Sequence, residues 1–294
     1  MTELSRRGFL AAGMALAAGA AVSACAGSGG SSSDSGGDGK NLTFWSSHPG
    51  QSTAVEKELI KRFEDANPGI KVQLVDAGKD YEEAAQKFNA ALSGGELPDI
   101  IILSDVWWFN FALIGALAPL DELYSAAGVD PSTYVDSLVA DYKWNDKTWA
   151  LPYARSTPLF YYNADVWSAA GLPARGPQSW EEFDQWGPRI QKVVGSGKYA
   201  HGWANAASYI SWTFNGPIWT YGGAYSDQWD LKFTDPKTIS AVQYLSDSIN
   251  KDRYAKISTD TAGDFSAGLV ASTLASTGSL SGITSAAKFN FKTA

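Results

Sequence analysis

The sequence holds one cysteine, two histidines and two methionines in 294 residues. A single thiol excludes a disulfide framework within the chain. His48 and His201 lie far apart, so the nitrogen and sulfur ligands that zinc or iron sites gather are lacking and no metal is expected. Charge is sparse as well: 18% of residues are Asp, Glu, Lys or Arg, and their balance is −8. Beyond the N-terminal arginines there is no basic run, which removes the cationic surface that phosphate backbones require and with it nucleic acid as a partner. No glycine-rich nucleotide loop occurs, so no cofactor is expected. Aromatic residues, by contrast, are plentiful: 12 Trp, 13 Tyr and 13 Phe within a chain that is 45% hydrophobic. That composition supplies a sizeable core, and the length fits one large domain or two ordinary ones.

Ser5-Arg6-Arg7-Gly8-Phe9-Leu10 opens an apolar stretch that runs from Phe9 to Val22. This is too short to cross about 30 Å of hydrocarbon and reads as an export signal. The paired arginines resemble the twin-arginine kind, with an ordinary Sec signal as the alternative. Val22-Ser23-Ala24-Cys25 resembles a bacterial lipobox, in which the cysteine is lipidated and becomes the first mature residue. Residues 1–24 are therefore expected to be a removed signal peptide and Cys25 to carry the lipid. Residues 25–40 follow as a flexible tether, with six Gly and five Ser between Ala26 and Lys40. The expected location is the extracytoplasmic face of the cell membrane.

From Asn41 short apolar runs alternate with helix-period segments. Leu42–Trp45, Ile70–Val75 and Ile100–Leu103 are strand candidates. Between them lie a helix opened by the capping box Thr53-x-x-Glu56, with Val55, Leu59 and Phe63 on its apolar face, and a helix from Tyr81 to Leu92. Strand and helix in alternation imply a parallel sheet covered on both faces. Ligands of such sheets bind outside the carboxyl ends of the strands, here Trp45 to His48, Asp76 to Tyr81 and Ser104 to Trp108. Each polar or aromatic group there has a structural alternative. Trp45 and Trp107-Trp108 fit a core as well as a rim, Asp105 fits a helix cap, and Tyr81 fits a surface position in a first turn.

Around Asn145-Asp146-Lys147 the pattern is a hairpin, and Tyr153 to Asn163 is too apolar for a surface loop, which makes it a crossover into a second lobe. Residues 41–152 are thus assigned to a first lobe and 153–294 to a second. The second carries a helix opened by Ser179-x-x-Glu182 and an amphipathic helix over Thr238–Lys251, with Ile239, Val242, Leu245 and Ile249 on one face.

Four segments carry a resemblance: Phe44-Trp45-Ser46-Ser47 and Phe63 to Pro68, which discriminate little, and the more particular block Leu151 to Leu172, with its Ser156-Thr157-Pro158-Leu159 and Tyr161-Tyr162-Asn163, and Phe265 to Leu280. Through them the folded part resembles the substrate-binding proteins of bacterial ABC importers, in the extracellular group that takes sugars and polyols. Within that group it is most similar to the binders of glycerol-3-phosphate and glycerophosphodiesters. The resemblance implies a two-lobed α/β periplasmic-binding fold of type II, a hinge, an inter-lobe ligand cleft, no catalysis, a monomer, and delivery of a small polyol phosphate or sugar to an ABC permease. It assigns the glycerol-contacting tyrosine to Tyr81, the acidic hydroxyl acceptor to Asp105, serines from the two sides to Ser156 and Ser276, and an aromatic over the ligand to Trp203. Many members have Glu at the position of Asp105, and the shorter acid leaves room for a bulkier diester. Arg155, beside Ser156, is a candidate cation for a phosphate, with a structural Arg as the alternative. The family's chains continue beyond the point reached at Ala294, and the resemblance places their principal phosphate-binding Arg and another Tyr there; the sequence is expected to be a fragment or a broken frame, and as a whole product it would have an incomplete first lobe with exposed apolar surface.

Two enzyme readings compete. A glycoside hydrolase needs paired carboxylates, and Asp105 has no partner in a comparable motif. A serine hydrolase would use Gly278-Ser279-Leu280-Ser281-Gly282, where Leu occupies the nucleophile's place.

Overall fold

The computed structural model describes residues 40–47, 52–205 and 207–294. The signal segment 1–24, Cys25, His48 and the tether apart from Lys40 lie outside the described residues.

The first unit runs β1 (Asn41–Ser46), α1 (Thr53–Ala66), β2 (Lys71–Asp76), α2 (Tyr81–Leu92), β3 (Ile100–Ile101). Its strands are parallel with β1 in the middle, Phe44 lying opposite Leu74 on one side and Ile100 on the other. β3 is shorter than the apolar run predicts. After it the Ile102 N–H still donates to the Trp45 carbonyl, and the chain then leaves the sheet. α2 follows its sequence period: Asp80 caps it by accepting from the Glu83 N–H, and Ala84, Ala85 and Phe88 are buried with Trp45 and Phe111. Trp45 is thus a core residue. Trp107 packs on the same cluster and Trp108 on Tyr142, so neither tryptophan reaches a cleft.

α1 departs from expectation twice. Its cap residue is Ser52, with no side-chain cap bond. Glu56, expected to serve a capping box, is instead buried, accepting from the Ser46 hydroxyl at 2.6 Å. A buried carboxylate needs such donors. Val55, Leu59 and Phe63 are 59%, 50% and 42% exposed, so no element among the described residues covers them. Apolar spacing defines a face; it does not supply what packs on it.

Three short helices follow, α3 (Trp108–Leu113), α4 (Asp121–Ala127) and α5 (Asp136–Ala140), then the hairpin β4 (Lys143–Trp144) and β5 (Lys147–Thr148). Its turn is Asn145-Asp146, at φ 53° and 57°. Two left-handed residues of these types make the turn that matches strand twist.

The second unit comprises β6 (Pro158–Asn163), α6 (Ala164–Ala169), α7 (Trp180–Val194), β7 (His201–Ala204), α8 (Ala207–Thr213) and α9 (Asn215–Thr220). It continues through β8 (Ser226–Asp227), β9 (Asp230–Leu231), α10 (Pro236–Asn250), β10 (Ala255–Ser258) and α11 (Thr261–Ser266) to β11 (Ser272–Ser276), α12 (Leu280–Ala286) and β12 (Phe291–Thr293). The main sheet has the order β10-β7-β11-β6-β12, with β6 antiparallel to both neighbours. β6 explains why its segment is so aromatic. Alternate side chains of a strand point to opposite faces, and here both faces are covered: Phe160 and Tyr162 pack with Trp167 and Phe183, Tyr161 with Phe265 and Ile283. Ser179 caps α7 by accepting from the Glu182 N–H, as its motif predicts.

α10 keeps part of the expected face, with Leu245 and Ile249 packed against the core. Thr238, Ala241, Tyr244 and Ser248 are buried while Ile239 and Val242 face solvent. Small residues line the contact because the Trp203 indole lies there and donates to the Ser248 hydroxyl at 3.1 Å. The β8–β9 hairpin reaches back to the first unit, its Trp229 ring lying 5.6 Å from that of Phe109.

Two buried contacts in the second unit have measurable consequences. A Cβ on Gly187 in α7 would stand 2.7–2.8 Å from ring carbons of Tyr254, whose hydroxyl is tied to Asp184 and Tyr244. Gly187→Ala is therefore expected to lower unfolding free energy by about 1–3 kcal/mol in urea melts, because the ring cannot yield. His201 is fully buried among Phe160, Trp180 and Trp203. The Ser272 hydroxyl donates to the Ala200 carbonyl, so it accepts from His201 Nδ1–H, and burial drives the imidazole down to about 3. The unfolded chain binds that proton below about pH 6.5 and the folded one does not. This stabilisation is complete above that pH and shrinks by about 1.4 kcal/mol per unit as pH falls toward 3. Urea melts at pH 7.5 and 5.5 should show about 1 kcal/mol more acid sensitivity in wild type than in His201→Gln.

Candidate functional site

The end of β3, the segment joining the two sheets and the end of β11 meet around a cleft of about 510 Å³. From the first unit come Tyr81, at the start of α2, and Asp105, in the loop where the chain leaves β3. The joining segment supplies four consecutive residues, Tyr153 to Ser156. An extended strand would send alternate residues to opposite sides. Ala154 breaks the alternation with a left-handed backbone, φ 48°. Next to it Thr157 and Thr277 bind each other: the Thr277 N–H donates to the Thr157 carbonyl at 3.0 Å and the Thr157 N–H to the Thr277 hydroxyl at 3.3 Å. The joining segment is thereby held against the end of β11.

Ser276 closes β11 with its peptide fixed on both sides. Its N–H donates to the Tyr209 hydroxyl at 3.0 Å, its carbonyl accepts from the Tyr161 hydroxyl at 2.8 Å, and its own Oγ accepts from the Gly278 N–H. Asp105 accepts at Oδ2 from Arg155 Nη1, 2.8 Å away, with both side chains about one-third exposed. Burial, and then the charge of Asp105, raise the Tyr81 phenol above its ordinary range, so it remains a neutral donor. The cleft therefore offers hydroxyl and phenol groups around one carboxylate–guanidinium pair. Such a set binds a hydroxylated ligand by hydrogen bonds.

Tyr81, Asp105, Ser156 and Ser276, assigned from sequence, all line this cleft. Trp203 does not. It is 3% exposed in the core of the second unit, because β7 is an interior strand and the indole faces α7 and α10. The aromatic residues that line the cleft are instead Tyr81, Tyr142 and Tyr153, together with Tyr209 and Trp212 on α8, whose rings lie 5.7 Å apart. The sequence carried a signal for the pair on α8: two aromatics three residues apart, on one helix face, just past the carboxyl end of a strand. The Arg155–Asp105 contact joins residues fifty positions apart and has no local signature.

The family described as bacterial extracellular solute-binding protein matches residues 46–294. The sn-glycerol-3-phosphate-binding periplasmic protein UgpB of Salmonella paratyphi A is 29% identical over 263 residues, covering 85% of this chain and 59% of its own length. Its counterpart in Yersinia pseudotuberculosis is 30% identical with the same coverage. The chain thus spans about three fifths of the length of these curated relatives. Among solved structures, UgpB from Mycobacterium tuberculosis in complex with glycerophosphocholine is 59% identical with a TM-score of 0.82, over 86% of this chain and 64% of that one. The GacH receptor of Streptomyces glaucescens, at 24% identity and a TM-score of 0.73 over 86% of this chain and 66% of that one, shares the fold. By the match over 46–294 and the two-lobed α/β architecture it has in common with these structures, the chain belongs to the bacterial extracellular solute-binding proteins.

Proposed function

We propose that the chain is the ligand-capturing subunit of an ABC importer, exported and tethered through a lipid on Cys25, and that it takes a glycerophosphodiester or glycerol-3-phosphate without transforming it. The observation that carries this reading is the convergence of Tyr81, Asp105, Ser156 and Ser276 on one cleft between two α/β units. A carboxylate accepts from adjacent glycerol hydroxyls, and serine and tyrosine hydroxyls reach ester and phosphate oxygens. Tyr209 and Trp212 bring two aromatic rings to the cleft, and aromatic rings attract a quaternary ammonium such as choline. The 59%-identical mycobacterial protein was crystallised with such a diester. Contacts from both units would favour the closed arrangement, which is how ligand capture becomes legible to a permease. The competing ligand is a neutral sugar or oligosaccharide, whose paired hydroxyls suit the same carboxylate.

Isothermal titration of the full-length protein with glycerophosphocholine, glycerol-3-phosphate and maltose separates these. The expected result is binding of the phosphorylated ligands, weakened about 10–100-fold in Asp105→Asn. Trp212→Ala should weaken glycerophosphocholine about tenfold while sparing glycerol-3-phosphate. Binding of maltose alone overturns the phosphate assignment. For the anchor, Cys25→Ala is expected to release the protein from membranes into the soluble extracytoplasmic fraction, with loss of labelled fatty-acid incorporation.

A further inference from the structure

Tyr161 is fully buried, packed with Phe265 and Ile283 in one of the two core clusters of the second unit. A buried phenol needs a partner for its hydroxyl, and this one finds it at the cleft, donating to the Ser276 carbonyl at 2.8 Å. The strand pairing explains why that carbonyl is open to it. In an antiparallel ladder, pairs that exchange hydrogen bonds alternate with pairs that do not. The Asn163 N–H donates to the Ala271 carbonyl and the Thr277 N–H to the Thr157 carbonyl, so these pairs are of the first kind, and Pro158–Ser276, next to Thr157–Thr277, is of the second. On the other side of β11, β7 pairs with it at Thr273–Gly202 and ends at Ala204. Ser276 thus takes a strand position with no strand bond to β6, and two phenols do that work: Tyr161 donates to its carbonyl and Tyr209 accepts from its N–H. The Ser276 Oγ accepts from the Gly278 N–H at 3.0 Å, which leaves its O–H to donate into the cleft that the residue lines.

We propose that Tyr161 is a positioning residue for ligand capture: from inside the core its hydroxyl holds the Ser276 peptide, so that the serine O–H meets the ligand at a fixed place. This rests on the reading of Ser276 as a ligand contact. Tyr161 is not among the residues that line the cleft, so its effect on binding passes through Ser276. The physical gain is preorganisation. A serine whose peptide is free to rock loses part of its hydrogen bond to the cost of ordering it. A phenol ring in a close-packed core is already ordered and passes that order to the peptide it holds. Burial, and then the neighbouring Tyr209, raise the Tyr161 phenol above its ordinary range, so the hydroxyl remains a donor at neutral pH. A tyrosine that only supports the fold would lower affinity by the same factor whatever stands at position 276. A positioning tyrosine acts only while there is a hydroxyl to position.

The test is a double-mutant cycle on the full-length protein, with glycerophosphocholine titrated calorimetrically into wild type, Tyr161→Phe, Ser276→Ala and the double variant. Tyr161→Phe removes one oxygen and keeps the ring in its packing. It is expected to weaken binding about 5–10-fold, and Ser276→Ala about tenfold. In the Ser276→Ala background Tyr161→Phe should cost less than about twofold. Equal factors in the two backgrounds, or an unchanged affinity in Tyr161→Phe where Ser276→Ala weakens binding, overturn the proposal and leave the wider reading intact. An unchanged affinity in Ser276→Ala removes Ser276 as a ligand contact and the proposal with it. If wild type binds maltose and not glycerophosphocholine, the phosphate reading falls and the same cycle is read with maltose; a wild type that binds neither overturns both. Were Tyr161→Phe not to fold, the crystal structure of wild type with its bound ligand decides: the Tyr161 hydroxyl should remain on the Ser276 carbonyl while the serine O–H reaches the ligand, and a parted Tyr161–Ser276 bond overturns the proposal.

Discussion

The pairing of β6 with β11 is the constraint on which the cleft depends. The two strands run antiparallel, with Tyr162 opposite Ser272 and Pro158 opposite Ser276. The Thr157–Thr277 exchange carries that register one step past the strand ends. Ser156 and Ser276, distant in sequence, are thereby brought to the same edge, and the chain entering the second unit is fixed before it turns toward the first. A slip of one residue would invert Phe160, Tyr161 and Tyr162, exchanging the contents of two hydrophobic clusters. Two differently shaped cores thus lock the register that places the cleft serines.

Within the cleft the polar groups are mostly neutral. Tyr161 and Tyr209 hold the Ser276 peptide from opposite sides, so this serine is positioned by groups belonging to its own unit. Asp105 sits in a loop of the first unit and is steadied by Arg155 from the joining segment. One face of the site is therefore built into a sheet edge, whereas the other depends on a partly exposed ion pair, a weaker kind of support.

Much of this was legible in the sequence, for identifiable reasons. The first sheet, α2 and the Asn145-Asp146 turn follow from local period, capping and left-handed propensity, which depend on neighbours within a few residues. Ser179 caps α7 for the same reason. What escaped involves partners. Glu56 is buried against Ser46, and α10 turns Thr238, Ala241 and Ser248 inward to accommodate Trp203. Assigning the aromatic wall to Trp203 failed because a tryptophan at an interior strand and one on the following helix differ in surroundings that only the sheet order defines.

The small β8–β9 hairpin has a mechanical meaning. Its strands are two residues each, and its Trp229 is 75% exposed while resting near Phe109 of the opposite unit. Aromatic rings attract one another in preferred offset or edge-on arrangements, and this pair is tilted by 42°. The hairpin thus acts as an outrigger, carrying one indole across to the opposite unit.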